Sequence, residues 1–323
     1  MLMTFGVTCA MFLAEAAAAA HNARRSTTRF SREVSPSLTR PDHELGYALN
    51  PGARVSATRK WSDSTLFHVT YTITDAGVRG TRGNPRGETW LFAGCSFTFG
   101  EGVEDDETLP ARFSEQLGWE ANVVNLAASG YGPNQMLRML ETGRLGGAGA
   151  PVKHVIYQAI PHHVVRAAGR VDWNLGGPSY RISGDTVRFA GPFHESAAIR
   201  ALEILRASDL GRLLDRRYRA RPASDAEIEL YGRIVERAAA LAERKLGARF
   251  TILFWDDDTN PTAKRAFERL AATGLPLIRA TSFLTLGELD SLRFPHDDHP
   301  TPEAYRRLAP GLAARLGATG PTN

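Results

Sequence analysis

The sequence predicts an α/β fold: three α/β/α layers around a mostly parallel five-stranded sheet, preceded by a small β-rich extension. Three observations carry this expectation. From about residue 88, short apolar runs alternate with helix-patterned stretches, the order that builds a parallel sheet covered on both faces. Before that point, β-branched and aromatic residues crowd Phe67-His-Val-Thr-Tyr-Thr-Ile73, as they do in strands. The chain has 323 residues, 43% of them hydrophobic, enough for one sizeable core with appendages.

Taken in order, residues 1–21 form an apolar segment, with Glu15 its one charge before His21. A transmembrane helix needs about 20 apolar residues, and an export signal normally starts with Lys or Arg, yet no basic residue precedes Arg24. Three readings stay open: a truncated anchor, a degenerate signal sequence, or an amphipathic Ala-rich helix. The expectation is an extracytoplasmic protein, periplasmic or held to the membrane by this segment. Residues 22–85 read as a polar linker to about 44 and then a β-rich extension, with Leu45–Pro51 and Phe67–Ile73 as strands of a small hairpin and a turn-rich passage over Asp75–Gly83.

Residues 86–318 read as the main domain. Thr89–Ala93 is a buried-strand pattern, followed by a helix over Leu109–Leu117, a strand at Asn122–Ala127, and a helix from Pro133, with proline at its first position. Val152–Ile160 is the third strand. Arg181–Phe189 reads as a hairpin around Gly184-Asp185, and Ala197–Arg216 as one helix. Within Ala226–Leu246, Ile228, Tyr231, Ile234, Val235, Ala238 and Leu241 recur at helical spacing. Phe250–Trp255 and Pro276–Arg279 complete the strands, with a helix over Thr262–Ala272 between them and a last helix after Thr301-Pro302.

Composition narrows the function classes. The 39 basic residues exceed the 35 acidic ones by little, and the excess is spread over Arg-rich stretches such as Arg212–Arg221. No basic stripe is interleaved with aromatics, so nucleic acid is not an expected partner. Cys9 and Cys95 are the two cysteines, and neither belongs to a metal-ligand spacing. Trp255-Asp-Asp-Asp258 places three carboxylates in a row, which reads as a solvated loop and helix cap rather than a cation site. No phosphate loop or dinucleotide fingerprint is present, so no metal and no cofactor is expected.

Three loops carry chemistry. Gly94-Cys-Ser-Phe-Thr-Phe-Gly100 directly follows the first buried strand, where open parallel sheets bind ligands, and its glycines let the chain turn to present Ser96. Asn125-Leu-Ala-Ala-Ser-Gly-Tyr-Gly-Pro-Asn134 follows the second strand, and N–H groups freed there can face a developing negative charge. His296-Asp-Asp-His-Pro-Thr301 precedes the last helix. A serine hydroxyl needs a base to take its proton and a carboxylate to orient that base. His299 and Asp297 supply both, with Asp298 in reserve; the plainer alternative is a charged loop that caps a helix at Thr301.

In this order the three blocks resemble the SGNH/GDSL hydrolase superfamily over roughly residues 86–316. The resemblance implies a flavodoxin-like fold and a Ser96 nucleophile. It places the backbone N–H groups of Ser96 and Gly130 in the oxyanion hole, with His299 as base and Asp297 as acid. Three departures stand out. Cys95 replaces the family's Asp before the serine. His162, in Ile160-Pro-His-His163, stands where the family has an oxyanion-hole Asn, so it is either a third oxyanion donor or a substrate contact, with His163 and Arg166 beside the cleft, or one of two structural histidines. The acid–base pair is spaced Asp-x-His, as in alginate-type O-acetyltransferase relatives, because His296 occupies the usual acid position. The implied activity is hydrolysis of a small-molecule or carbohydrate ester. A polysaccharide O-acyltransferase with the same residues and a silent carbohydrate-binding relative remain alternatives.

Overall fold

The computed structural model describes residues 13–20, 30–148, 151–257 and 260–318. Five strands form one all-parallel sheet in the order β7-β6-β8-β11-β12: β6 Thr89–Ala93, β7 Asn122–Asn125, β8 Val152–Ala159, β11 Arg249–Phe254 and β12 Leu277–Arg279. Counted within the sheet this is 2-1-3-4-5, the flavodoxin-like winding, in which the strand order reverses between the first and third strands and leaves a crevice at their carboxyl ends.

Strand alternation sends side chains to two cores. Trp90 and Phe92 of β6 point with Ile156 and Leu253 toward helices α3 (Leu109–Gln116) and α11 (Pro302–Arg315). Leu91 and Ala93 point with Val155 and Ile252 toward α4 (Pro133–Thr142) and α8 (Asp225–Leu246). All five residues of β6 are buried, as expected of a central parallel strand covered on both faces. Helix α8 starts where Ser224 and Glu227 cap each other's backbone N–H groups, and ends at Gly247, whose φ of 62° is the left-handed turn that glycine adopts without cost.

The region before the sheet differs from expectation. Residues 22–44 read as linker, yet β1 (Phe30–Ser35) pairs with β4 (Arg54–Trp61), which pairs with β5 (Ser64–Thr72) in an antiparallel three-stranded sheet. Another pair, β2 (Thr39–Asp42) and β3 (Gly46–Leu49), forms a hairpin, so the two stretches expected to pair with each other pair instead with β2 and β4. No residue of β1 or β2 is fully buried, so their sequences lack the apolar alternation that marks a strand.

Two further corrections concern helices. The single helix expected over Ala197–Arg216 is two, α6 (Ala197–Leu205) and α7 (Asp209–Ala220). Ser208 breaks the run by accepting a hydrogen bond from Gly211 N–H as a new N-cap. Short helices α2 (Ser96–Phe99), α5 (His163–Ala167) and α10 (Leu286–Ser291) have too few residues to show a period. The expected hairpin is present as β9 (Pro178–Ser183) and β10 (Thr186–Pro192). Residues 1–12 and 21 of the apolar segment lie outside the described residues. Residues 13–20 are helical, and the Glu15 carboxylate accepts backbone N–H bonds from Asp209 and Leu210 at the start of α7. No helix among the described residues is long and apolar enough to cross a membrane.

Candidate active site

The turn after β6 is held from several sides. Gly94 has no room for a side chain, since a Cβ there would lie 2.1 Å from Thr98 Oγ1. Thr98 in turn donates to Gln158 Oε1 at 2.9 Å, and Asn125 Nδ2 donates to the Thr98 carbonyl at 2.9 Å. Helix α2 starts at Ser96 and ends at Gly100 with φ 82°, so the serine sits at the first turn, 5% exposed. Cys95 beside it is fully buried and packs as a small apolar filler.

The loop before α11 reaches this turn. Tyr305 OH donates to the Phe97 carbonyl at 2.7 Å, and the Phe97 and His299 rings lie 5.6 Å apart. The loop closes on itself through Phe294 N–H to His299 O and Asp297 N–H to Phe294 O, both 3.0 Å. Asp297 Oδ1 accepts from the His299 backbone N–H at 3.0 Å and meets His299 Nδ1 at 2.5 Å. Asp298, the reserve, is exposed and lies 3.9 Å from Arg293. His296 takes a left-handed φ of 61°, and its ring stacks 4.5 Å from Trp61 of β4. Thr301 occupies the N-cap position of α11, but its hydroxyl donates to the Leu292 carbonyl instead of capping.

Ser96, Gly130 and His299 line one cavity of about 1000 Å³, together with Arg166, Glu101 and residues of the β-rich extension. The Ser96 hydroxyl makes no hydrogen bond among the described residues, and His299 Nε2 stands 3.9 Å from Glu101 Oε2. Gly130 has φ 85°, and a Cβ there would lie 2.6 Å from Tyr47 OH. Tyr47 OH donates to the Ser129 carbonyl at 2.7 Å and Trp173 Nε1 to the Gly130 carbonyl at 3.2 Å, so this loop is gripped from both sides.

Neither of the two histidines after β8 is among the residues that line the Ser96 cavity. His163 is fully buried, with Nδ1 2.7 Å from Tyr157 OH; it is a core residue and not part of the cavity wall. Burial pushes its pKa well below the usual imidazole value. His162 lines an adjoining cavity of about 620 Å³, which shares Trp173 with the first, and is not among the residues around Ser96. Its ring is turned there because Nδ1 accepts Arg166 Nε–H at 3.2 Å. Burial, with help from the Arg166 and Arg170 charges, lowers its pKa to about 4, so the ring stays neutral at ordinary pH. Arg166 does line the Ser96 cavity.

Sequence reasoning missed a charged network. Glu101 is 4% exposed; it accepts Ser129 Oγ–H at 2.6 Å and pairs with Arg32 at 3.3 Å and Arg59 at 3.7 Å. Burial alone would raise its carboxyl, but His299, Arg32, Ser129 and Arg59 outweigh that and hold it below the usual range. Arg59 Nε also lies 2.9 Å from Asp297 Oδ2, at ion-pair distance but without the alignment of a hydrogen bond. For Asp297 too, burial works upward, and the His299 hydrogen bond and charge, with Arg59, bring the carboxyl down. The one sequence signal was Glu101 itself, set between two glycines just past the Ser96 turn. In the carboxylate cluster after β11, Asp256 is buried and bonds Thr281 N–H and Arg279, a structural role; Asp258 lies outside the described residues.

No family model and no curated protein matches the sequence. Among solved structures, the chain is similar to a lipolytic protein of the G-D-S-L family from Veillonella parvula DSM 2008, at 13% identity and TM-score 0.41 over 71% of this chain and 97% of that one. It is also similar to the psychrotrophic esterase EstA from Pseudoalteromonas sp. (10%, TM-score 0.41, 71% and 97%). A third is the lipase Lip_vut3 from a goat rumen metagenome (12%, TM-score 0.39, 72% and 98%). At these values the likeness decides nothing about chemistry, which rests on the chain's own residues.

Proposed function

We propose that the chain is a serine ester hydrolase of the SGNH kind, working through a covalent acyl-enzyme on O-acyl esters of a carbohydrate or small molecule. The observation that carries the reading is the contact of His299 Nδ1 with Asp297 Oδ1 at 2.5 Å on the wall of the cavity that Ser96 lines. An ionised Asp297 keeps the proton on Nδ1, which leaves the Nε2 lone pair as the base.

In this reading Nε2 takes the Ser96 proton as the hydroxyl oxygen attacks the ester carbonyl carbon. The carbonyl π electrons move to oxygen, and the backbone N–H groups of Ser96 and Gly130 receive that charge, each such donor supplying about 3 kcal/mol of barrier reduction. Asp297 steadies the imidazolium, and Glu101 at 3.9 Å adds to the same field. Collapse of the tetrahedral adduct breaks the bond to the alcohol, which leaves with the proton from Nε2. Water then repeats the sequence against the acyl-serine and frees the acid and Ser96. Arg59 acts through Asp297, and the grip of Tyr47 and Trp173 on the Ser129-Gly130 loop fixes the oxyanion donor.

Turnover of p-nitrophenyl acetate by wild type and Ser96→Ala tests the reading. The substitution is expected to cost roughly 10⁴-fold or more in kcat; equal, background-level rates for both proteins would remove it.

A further inference from the structure

We infer that the ester held in the Ser96 cavity carries an anionic group, a carboxylate or a similar oxyanion, received by Arg166 and Arg40. The inference rests on the proposed hydrolase reading and names its substrate class.

The cavity wall is unusual in its charge. Among the described residues, Arg32, Arg40, Arg59 and Arg166 all line it, against Glu101 as the one carboxylate. Even with Asp297, which stands behind His299, four guanidiniums meet two carboxylates, and two positive charges are left uncancelled. The structure also says which two. Arg32 and Arg59 are taken up by Glu101 and Asp297. Arg166 is 7% exposed and has no carboxylate partner among the described residues; Nη1 donates to the Tyr131 carbonyl at 2.6 Å and Nε to His162 Nδ1. The Arg40 side chain, from β2, makes no ion pair or hydrogen bond among the described residues.

A guanidinium taken out of water without a counter-charge is costly, and proteins normally pair it. Here two neutral acceptors hold Arg166 in place on the cavity wall, its guanidinium 5.8 Å from the centre of the Trp173 ring, and neither acceptor cancels its charge. A carboxylate entering the cavity would complete the pairing, with the short, strong geometry of charge-assisted bonds. In a low-dielectric concavity the same charges also draw anionic ligands inward. A neutral ester gains neither effect.

The test is calorimetric titration of the Ser96→Ala protein with phenyl hemisuccinate, whose acyl chain ends in a carboxylate, and with its methyl-capped neutral counterpart. The charged ester is expected to bind about ten-fold more tightly or better in about 20 mM salt, and the gap to shrink at about 0.5 M. Arg166→Gln should close most of the gap. Because Arg166 also props the Tyr131 carbonyl, the exposed Arg40→Gln, which should narrow the gap in part, guards against a folding failure. Equal affinities for the two esters, or a gap that both substitutions leave intact, would overturn the inference. The binding readout is independent of turnover. Wild type that hydrolyses both esters without a charge preference in binding would lose only this inference. Preferential binding of the charged ester without any hydrolysis would remove only the hydrolase reading.

Discussion

Asp297 and Asp298 are neighbours in sequence and opposites in environment. Asp297 is buried, bonds both the backbone and the ring of His299, and faces Arg59; Asp298 points to solvent. The two therefore separate cleanly by substitution. Asp297→Asn removes the charge that fixes the Nδ1 tautomer and is expected to lower kcat by roughly 10³- to 10⁴-fold, whereas Asp298→Asn should stay within about two-fold of wild type. Steady-state ester kinetics on the two variants check this, and equal losses would count against the assigned acid. At this scale the sequence was legible where chemistry is packed into short motifs. Gly94-Cys-Ser96 and Asp297-Asp-His299 each bring their partners together within a few residues. His163 stayed open between cleft contact and structural histidine because a histidine at a strand end reads alike whether its ring turns outward or, as here, inward to Tyr157. The pairing of Glu101 with Arg32 and Arg59 was illegible because it needs chain segments far apart in sequence to meet.

At the scale of elements, the hairpin β2–β3 shows how polar residues can build structure that periodicity does not reveal. Asp42 closes its turn by accepting N–H bonds from Glu44 and Leu45, both 3.0 Å, and grips Arg144 beyond α4 through two bonds of 2.7 and 2.8 Å. The Arg144 hydrogen bonds lead, against burial, in lowering the Asp42 pKa to about 2. A depressed carboxylate contributes stability above its unfolded value near 4 and loses it as pH falls toward 2. With solvent screening allowed for, the contribution is about 1 kcal/mol. Asp42→Asn should therefore unfold at lower urea than wild type at pH 7, and the difference should fade between about pH 4 and pH 2. A difference constant over that range would contradict the pairing. The central strands and α8 were legible because burial on both faces, or on one helical stripe, writes itself into apolar spacing. The linker-like stretch that became β1 and β2 was not, because edge strands with no buried residue carry no such imprint.

The molecule as a whole joins three distant parts of the chain at one cavity. The parallel sheet delivers Ser96 and Gly130, the last helix delivers His299 through Tyr305 and Phe97, and the β-rich extension adds Arg32, Arg40, Tyr47 and Arg59. The order of strands and helices foretold the first two; nothing in the local pattern foretold that the extension would wall the site. If reactivity depends on that convergence, a fluorophosphonate probe should phosphonylate Ser96, and only Ser96, in folded protein, because the proposed mechanism brings base and oxyanion donors together at that hydroxyl. The same probe should leave Ser96 untouched after unfolding in urea. Peptide mapping by mass spectrometry reads both outcomes: an adduct confined to Ser96 and dependent on the fold is the expected result. An adduct on another residue, no adduct in the folded protein, or equal labelling after unfolding would contradict the account.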